Sequence, residues 1–380
     1  MEEEEEELLM IPGPVPVLPR VLEAMSKPMI YHRGDEFGQM YEEIVENLKN
    51  IFQTRNDLFV LSGSGTCAME AAIGNLISKR NNETEKTKTA CITITNGKFG
   101  VRFEEIAERY KADAVTPVNF EWGSSMELEV VKEALENCPN PEIVTMVHNE
   151  TSTGILNPAK EVGKLAKKHD AVFVLDCITS IGGDEVPVDE FGADIAIVGS
   201  QKCLGTPPGM SALSVSEHAW DLIQNNKERP YYMDLVAYKK SLGKKQTPYT
   251  PALPLFFALQ EALAVIKEEG MEKRIERHRK LAKMVRDAVT GLGLSLFPRL
   301  NEVSDYSNTV TAVNIPLAGG ISDEQLRGGM RKRGVIVAGG QDKLKGKIFR
   351  IATMGNITEK EVLKTVEALE QVLMENEFIE

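Results

Sequence analysis

The sequence predicts an α/β fold, with a large domain built on a mostly parallel sheet and a smaller α+β domain after it. In the first two-thirds of the chain, short β-branched runs alternate with amphipathic stretches. The strand-like runs are almost continuously apolar, as is typical of strands buried on both faces. A chain of 380 residues is also too long for one ordinary core. We expect an N-terminal segment (1–20), a large domain (21–254) and a small domain (255–380).

The elements of the large domain follow from the hydrophobic pattern. Seven strands are predicted, at Leu58–Leu61, Ala90–Thr95, Ala114–Val118, Ile143–His148, Val172–Asp176, Asp194–Gly199 and Ser211–Val215. Helical patterns lie between most of them, at Cys67–Ser78, Arg102–Tyr110, Leu128–Asn137 and Lys160–His169. In such sheets, ligands bind beyond the carboxyl ends of the strands.

The alternation ends around Thr247–Pro254, where three prolines lie close together, and Pro248 and Pro251 predict an irregular segment. A long helical pattern follows, from Leu255 to about Leu292. The small domain is predicted to contain strands at Thr309–Ile315, Val335–Ala338 and Lys347–Ile351, a helix at Asp323–Arg333 and a last helix after Thr358. The spacing of Thr358 and Glu361 is that of a capping box.

Charge and composition exclude several classes of protein. The net charge of -13 argues against a nucleic-acid partner, because phosphate binding needs a basic face. No apolar run approaches the roughly 20 residues of a membrane span. The run Glu2–Glu7 is the opposite of a basic signal-peptide start and is interpreted as a solvated tail. Five cysteines without a CxxC pair indicate a reducing compartment, so we expect a cytoplasmic protein.

Two ionisable residues stand just beyond predicted strand ends. Lys202 lies in the run Val198–Gly205, where a desolvated lysine can lose its proton and attack an aldehyde. Taken alone, this position favours a solvated surface lysine. Asp176 ends an apolar strand, and a buried carboxylate needs a partner. A protonated pyridine nitrogen is one such partner, and a helix N-cap or a structural ion pair is the alternative.

Three further segments follow strand ends. Ser62–Thr66 is a Gly-Ser turn that opens a helix, which suits a phosphate because the helix N-terminus offers free N–H groups. Asn96–Gly100 holds Phe99 between two glycines, where the ring can lie flat on a cofactor. His148–Gly154 is rich in hydrogen-bonding groups. Taken alone, the first segment could be an ordinary turn and the third a polar turn. Phe99 in the second could be an aromatic residue of the core. Together, the five features supply the parts of a pyridoxal-phosphate site.

On these residues, the chain resembles the class V aminotransferases of the serine–pyruvate and alanine–glyoxylate type, and most of all the archaeal broad-specificity or aspartate aminotransferases. The resemblance extends from Ile11 to the last helix. Its motifs are Ile11–Pro14, Ser62–Gly65, Asn96–Gly100, His148–Gly154, Asp176 with Ser180 and Gly182–Gly183, Gly199–Lys202 with Pro207–Gly209, and Arg350–Ile351.

The resemblance implies fold-type I, pyridoxal 5'-phosphate, and a homodimer with active sites shared between subunits. Lys202 would form the internal aldimine and shuttle the proton, and Asp176 would pair with the ring nitrogen. The other implied cofactor contacts are Ser64, Gly65, Thr66 and Gln201 at the phosphate, Phe99 on the ring, Thr151 near its phenolic oxygen, and Thr250 at the phosphate of the partner's cofactor. Arg350 would bind the substrate carboxylate through its guanidinium fork; taken alone, it would be a surface strand residue.

Three positions differ from the mammalian relatives. Phe99 stands in place of Trp, Thr66 in place of His, and Thr247 in place of Tyr. None of these changes touches the reaction itself.

The expected reaction is a ping-pong transamination of alanine or serine with glyoxylate or pyruvate, and aspartate with 2-oxoglutarate is the runner-up. An acidic substrate needs a second cation. Arg33, in Tyr31–Gly34, is the candidate by its resemblance to phosphoserine aminotransferases; ordering of the N-terminal segment is its alternative role. Cysteine desulfurase is disfavoured because no cysteine follows Cys203 and because Gln201 precedes the lysine. A regulator would need a fused DNA-binding domain.

Overall fold

A computed structural model describes residues 7–77, 90–110, 112, 114–316 and 320–379. Its strands are β1 (Leu8–Met10), β2 (Asp57–Ser62), β3 (Ala90–Thr95), β4 (Ala114–Asn119), β5 (Pro141–Val147), β6 (Asn149–Glu150), β7 (Ile155–Leu156), β8 (Val172–Asp176), β9 (Ile195–Gly199), β10 (Met210–Val215), β11 (Asp305–Tyr306), β12 (Val310–Asn314), β13 (Val335–Gly339) and β14 (Ile348–Ala352). Its helices are α1 (Pro19–Ala24), α2 (Asp35–Phe52), α3 (Gly65–Leu76), α4 (Lys98–Arg109), α5 (Leu128–Asn137), α6 (Ala159–Lys168), α7 (Val188–Phe191), α8 (Glu217–Asn225), α9 (Leu235–Leu242), α10 (Leu253–Glu269), α11 (Met271–Gly291), α12 (Asp323–Lys332) and α13 (Glu359–Glu375).

The large sheet has seven strands in the order β2-β10-β9-β8-β5-β3-β4. All neighbours are parallel except β10, which runs antiparallel to both β2 and β9. Two separate apolar clusters include side chains of these strands, as expected for a sheet covered on both faces. The predicted α/β class and the seven predicted strands are confirmed.

The second main sheet has four strands in the order β1-β13-β14-β12. Its three C-terminal strands are those predicted from the sequence. β1 was not predicted: Leu8–Met10 pairs in parallel with Val335–Val337 at the edge of this sheet. Three apolar residues give too little pattern to mark a strand, because the partner strand lies at the other end of the chain.

The single helical pattern predicted between Leu255 and Leu292 is in fact two helices. α10 ends at Glu269 and α11 begins at Met271, because Gly270 has φ +82, a conformation that glycine adopts readily. α10 packs against the helices of the large sheet, where the ring of Phe256 contacts Phe37 and Tyr41. The proposed boundary at residue 254 remains a prediction.

The ends of the chain have simple local structure. Residues 1–6 of the predicted solvated tail lie outside the described residues, and the carboxylate of Glu7 accepts a hydrogen bond from Arg331. At the start of α13, the Glu361 carboxylate accepts from the backbone N–H of Thr358, so the predicted capping box is present. Among the described helices, none combines the length and apolarity that crossing a bilayer requires.

Candidate active site

A cavity opens beyond the carboxyl ends of the parallel strands, with an empty volume of about 470 Å³ that includes space open to solvent. Its walls come from the segments that follow β2, β3, β5, β8 and β9. The lining residues are Ser64, Gly65, Thr66, Phe99, Arg102, Val147, Asn149, Thr151, Asp176, Ile178, Thr179, Gln201 and Lys202. Eight predicted site residues are therefore brought together in one space.

Lys202 lies three residues after the end of β9 and is part-buried. Its amine donates a hydrogen bond to the carbonyl oxygen of Pro12. Burial, and to a smaller extent the charge of Arg350, lowers the pKa of Lys202 to about 8. Unlike a solvated surface lysine, this amine is partly neutral near physiological pH and can act as a nucleophile.

Asp176 is the last residue of β8 and is only 3% exposed. One carboxylate oxygen accepts the backbone N–H of Ile178 at 2.7 Å. Burial raises the pKa of Asp176 to about 7. In the described part of the chain, no cation forms an ion pair with this carboxylate. The hydrogen bond from the Ile178 N–H resembles that of a helix N-cap. It leaves the carboxyl group without a charged partner.

The turn at Ser64–Thr66 joins β2 to α3. The helix begins at Gly65, so its first N–H groups point away from the helix body and towards the cavity end. A Cβ on Gly65 would come within 2.4 Å of Ile178 Cδ1. Only glycine therefore fits here without a shift of the Ile178 side chain. This geometry is suited to a phosphate.

Two amide oxygens in the cavity wall have no donor among the described residues. They are Oε1 of Gln201 and Oδ1 of Asn149, both buried. A buried acceptor without a donor is rare in folded proteins, and a bound ligand is one way to supply the missing hydrogen bond. Both oxygens therefore favour a polar ligand in this cavity.

Phe99 and Arg102 form one wall of the cavity. Both lie near the start of α4, and the Arg102 guanidinium carbon lies 4.7 Å from the centre of the Phe99 ring. Arg102 Nη1 also donates to Thr66 Oγ1 at 2.9 Å. The sequence analysis missed Arg102. The i, i+3 spacing from Phe99 would have placed it on the same helix face.

A chain of hydroxyl groups lies behind Thr151. Oγ1 of Thr151 is 2.8 Å from Oγ1 of Thr179, which in turn accepts from Asn149 Nδ2 at 2.8 Å. Asn149 and Thr179 line the cavity but were not singled out from the sequence. Asn149 lies inside the polar turn His148–Gly154, which the sequence did indicate, and Thr179 follows Asp176 by only three positions. The network fixes Thr151 at the cavity wall.

Glu150 is fully buried beneath the Phe99 turn and was also missed. Its carboxylate accepts the backbone N–H groups of Phe99 at 3.0 Å and Gly100 at 3.1 Å. It also accepts both the N–H and the hydroxyl of Ser152. Burial raises the pKa of Glu150, while these donors lower it. Glu150 thus holds the start of α4 against the polar turn.

Arg350 is 5% exposed and belongs to β14, so it is not a surface strand residue. Its Nη1 donates to the Thr151 carbonyl oxygen at 3.1 Å, and its Nε and Nη2 donate to that of Gly339 at 3.1 and 2.7 Å. Burial lowers the pKa of Arg350 to about 10. The bond to Thr151 places this cation at the edge of the cavity.

Besides Arg350, two predicted residues do not line the cavity within this chain. Arg33 donates to Gln246 Oε1 and to the carbonyl oxygens of Thr247 and Pro248, at 3.1, 2.6 and 3.3 Å. It therefore holds the irregular segment before α10. Thr250 lies in that segment and is exposed.

With this geometry, the chain belongs to the class V aminotransferases: the model of that family, "Aminotransferase class-V", matches residues 16–359. It is 45% identical over 374 residues, 98% of this chain and 94% of the relative, to an uncharacterized aminotransferase of Methanocaldococcus jannaschii. Rabbit (Oryctolagus cuniculus) alanine–glyoxylate aminotransferase is 34% identical over 375 residues, 96% of this chain and 92% of that protein. The crystal structure of the Bacillus subtilis ureidoglycine–glyoxylate aminotransferase superposes with a TM-score of 0.90 at 34% identity, covering 98% of this chain and 94% of the other.

The protein is therefore an aminotransferase of fold-type I whose cofactor is pyridoxal phosphate. The cavity residues fit that group. A helix N-terminus suits its phosphate, a part-neutral lysine suits its aldehyde, and an unpaired buried acid suits its ring nitrogen. The orphaned oxygens of Gln201 and Asn149 are also consistent with a polar ligand.

Proposed function

We propose that this enzyme transfers the amino group of a small amino acid, alanine or serine, to a 2-oxo acid, glyoxylate or pyruvate, in a ping-pong cycle. The observation that carries the proposal is the pairing of one amine and one acid in a single cavity. Lys202 and Asp176 both line it, with pKa values of about 8 and about 7. Groups whose pKa values lie near neutrality are suited to moving protons.

Pyridoxal phosphate supplies, when bound, an aldehyde for the substrate amine and a ring that withdraws electrons from the substrate's α-carbon. Lys202 Nζ would hold that aldehyde in the resting enzyme. Once the substrate amine has taken its place, the freed Nζ would accept the proton of the substrate's α-carbon. The Asp176 carboxylate would accept the N–H of the ring nitrogen and keep that nitrogen protonated.

Arg350 binds the carboxylate common to all donors and acceptors. An acidic side chain would need a second cation, and Arg33 is the candidate for that role. The guanidinium of Arg33 is engaged by three oxygens of its own chain and does not line the cavity. It therefore offers no free cation to an acidic side chain within this subunit, which favours alanine or serine over aspartate. The glyoxylate in the names of two relatives supports glyoxylate as acceptor.

The test compares alanine, serine and aspartate as donors with glyoxylate and 2-oxoglutarate as acceptors. We expect alanine or serine with glyoxylate to give the highest kcat/KM, and Lys202→Ala to lose transfer with every pair. Aspartate as the best donor, combined with loss of that activity in Arg33→Ala, would replace the proposed substrate class with the acidic one.

We also propose a homodimer in which Thr250 reaches the phosphate of the cofactor in the partner subunit, and a cytoplasmic location. Next to Thr250, the Tyr249 ring stacks on Tyr232 at 5.1 Å, and Tyr231 is 84% exposed. Exposed aromatic residues of this kind favour a protein interface. Sedimentation of the purified enzyme should give a dimer, and Thr250→Ala should weaken cofactor binding. A monomer with full activity would contradict the shared site.

A further inference from the structure

The phosphate end of the cavity needs positive charge. A phosphate monoester carries roughly -1.5 to -2 charges at pH 7. The groups assigned to it above in this chain are a helix N-terminus, hydroxyls and an amide, none of which carries a full charge. Lys202 serves the aldehyde and Arg350 the substrate carboxylate, so the site lacks a cation for its most charged ligand group.

Arg102 is a cation at the phosphate end of the cavity. It lines the cavity together with Ser64, Gly65 and Thr66, and its Nη1 donates to the Thr66 hydroxyl. In the described part of the chain, Arg102 has no ion pair with a carboxylate. A guanidinium has five N–H donors, so its single protein hydrogen bond leaves most of them available to an anion.

The position of Arg102 is also fixed from below. Its guanidinium lies over the ring of Phe99, and an aromatic face stabilises a cation, more strongly when the cation is desolvated. The N–H of Phe99 is held by Glu150. The backbone of Phe99 is therefore held by Glu150, and its ring supports the Arg102 guanidinium beside Thr66.

We propose that Arg102 is the cation that binds the cofactor phosphate from within the same subunit, both directly and by orienting the Thr66 hydroxyl. A side chain that covers one face of Phe99 also leaves only the other face for the cofactor ring. Arg102 thus couples the position of the ring to that of the phosphate.

The test uses the apoenzyme and two probes, pyridoxal phosphate and pyridoxal, which lacks the phosphate. Binding is followed by absorbance near the Schiff-base band and by tryptophan fluorescence. Arg102→Ala should raise the Kd for pyridoxal phosphate by about tenfold or more, as expected for a lost charge-assisted hydrogen bond. Its Kd for pyridoxal should change much less. Inorganic phosphate should compete with the cofactor in the wild type and fail to do so in the variant.

Arg109→Ala is the matched control, because Arg109 is an exposed arginine on the same helix; it should leave both Kd values unchanged. Arg102→Met keeps a long apolar stem over Phe99 and removes the charge, so it gives the same test if the alanine variant does not fold. An unchanged ratio of the two Kd values in the Met or Ala variant would overturn the proposal. That result would give Arg102 a structural role alone, whatever the substrate of the enzyme.

Discussion

Replacing Asp176 by asparagine should stabilise the apoenzyme while impairing catalysis. The folded protein retains the Asp176 proton up to about pH 7, whereas an ordinary aspartate releases it near 3.8. The buried acid therefore favours folding fully below pH 3.8, and this contribution is lost as the pH rises to about 7. A pKa difference of about three pH units corresponds to a loss of ~4 kcal/mol, which is an upper limit.

Asparagine avoids this loss because it cannot ionise, and its oxygen can still accept the Ile178 N–H. Its buried amide N–H groups cost about 1–3 kcal/mol if they find no acceptor. We therefore expect the apo form of Asp176→Asn to exceed the wild type by about 1–3 kcal/mol in the free energy of unfolding at pH 8. Near pH 5, where most of the acid is protonated, this advantage should disappear.

The assay is urea unfolding of the wild-type and Asp176→Asn apoproteins at several pH values between 5 and 8. The effect on catalysis should be the opposite of the effect on stability. The variant should lose most of its kcat, because an amide cannot neutralise a protonated ring nitrogen. Parallel stability curves for the two apoproteins across this pH range would refute the assignment of a costly buried charge to Asp176.

Three further predictions concern other residues of the site. The rate at which the apoenzyme reacts with pyridoxal phosphate should rise about tenfold per pH unit below pH 8 and level off above it, because only the neutral Lys202 amine reacts; a rate still rising above pH 9.5 would contradict the lowered pKa. Arg350→Lys should raise the KM for amino donors by about tenfold, as one point charge replaces a fork, and an unchanged KM in steady-state kinetics would remove Arg350 from substrate binding. Glu150→Ala should lower the free energy of unfolding by about 3 kcal/mol or more, since the N–H groups of Phe99 and Gly100 lose their acceptor; equal thermal unfolding of variant and wild type would exclude this role.

The sequence predicted the large sheet well because its strands are buried on both faces and so appear as apolar runs. The strand-end rule then predicted where Lys202, Asp176 and Phe99 would lie, and the cavity contains all three. These predictions depend on local pattern and on one general property of parallel sheets.

Features that depend on distant partners were missed. β1 becomes a strand only because β13 lies beside it. Glu150 appeared to be part of a polar turn, and its role arises from donors about 50 positions earlier in the chain. Arg33 was identified by resemblance, and its three acceptors lie beyond residue 245. Hydrophobic periodicity carries no information on contacts of this range.

The pairing of β1 has a consequence for how a newly synthesised chain matures. Leu8 is synthesised long before its strand partner Val335. The carbonyl of Pro12, which receives the Lys202 amine, is anchored by that pairing two residues earlier. Contacts of such long sequence separation form late in folding. We therefore expect the core of the large sheet to form well before the Lys202 amine makes its hydrogen bond to Pro12.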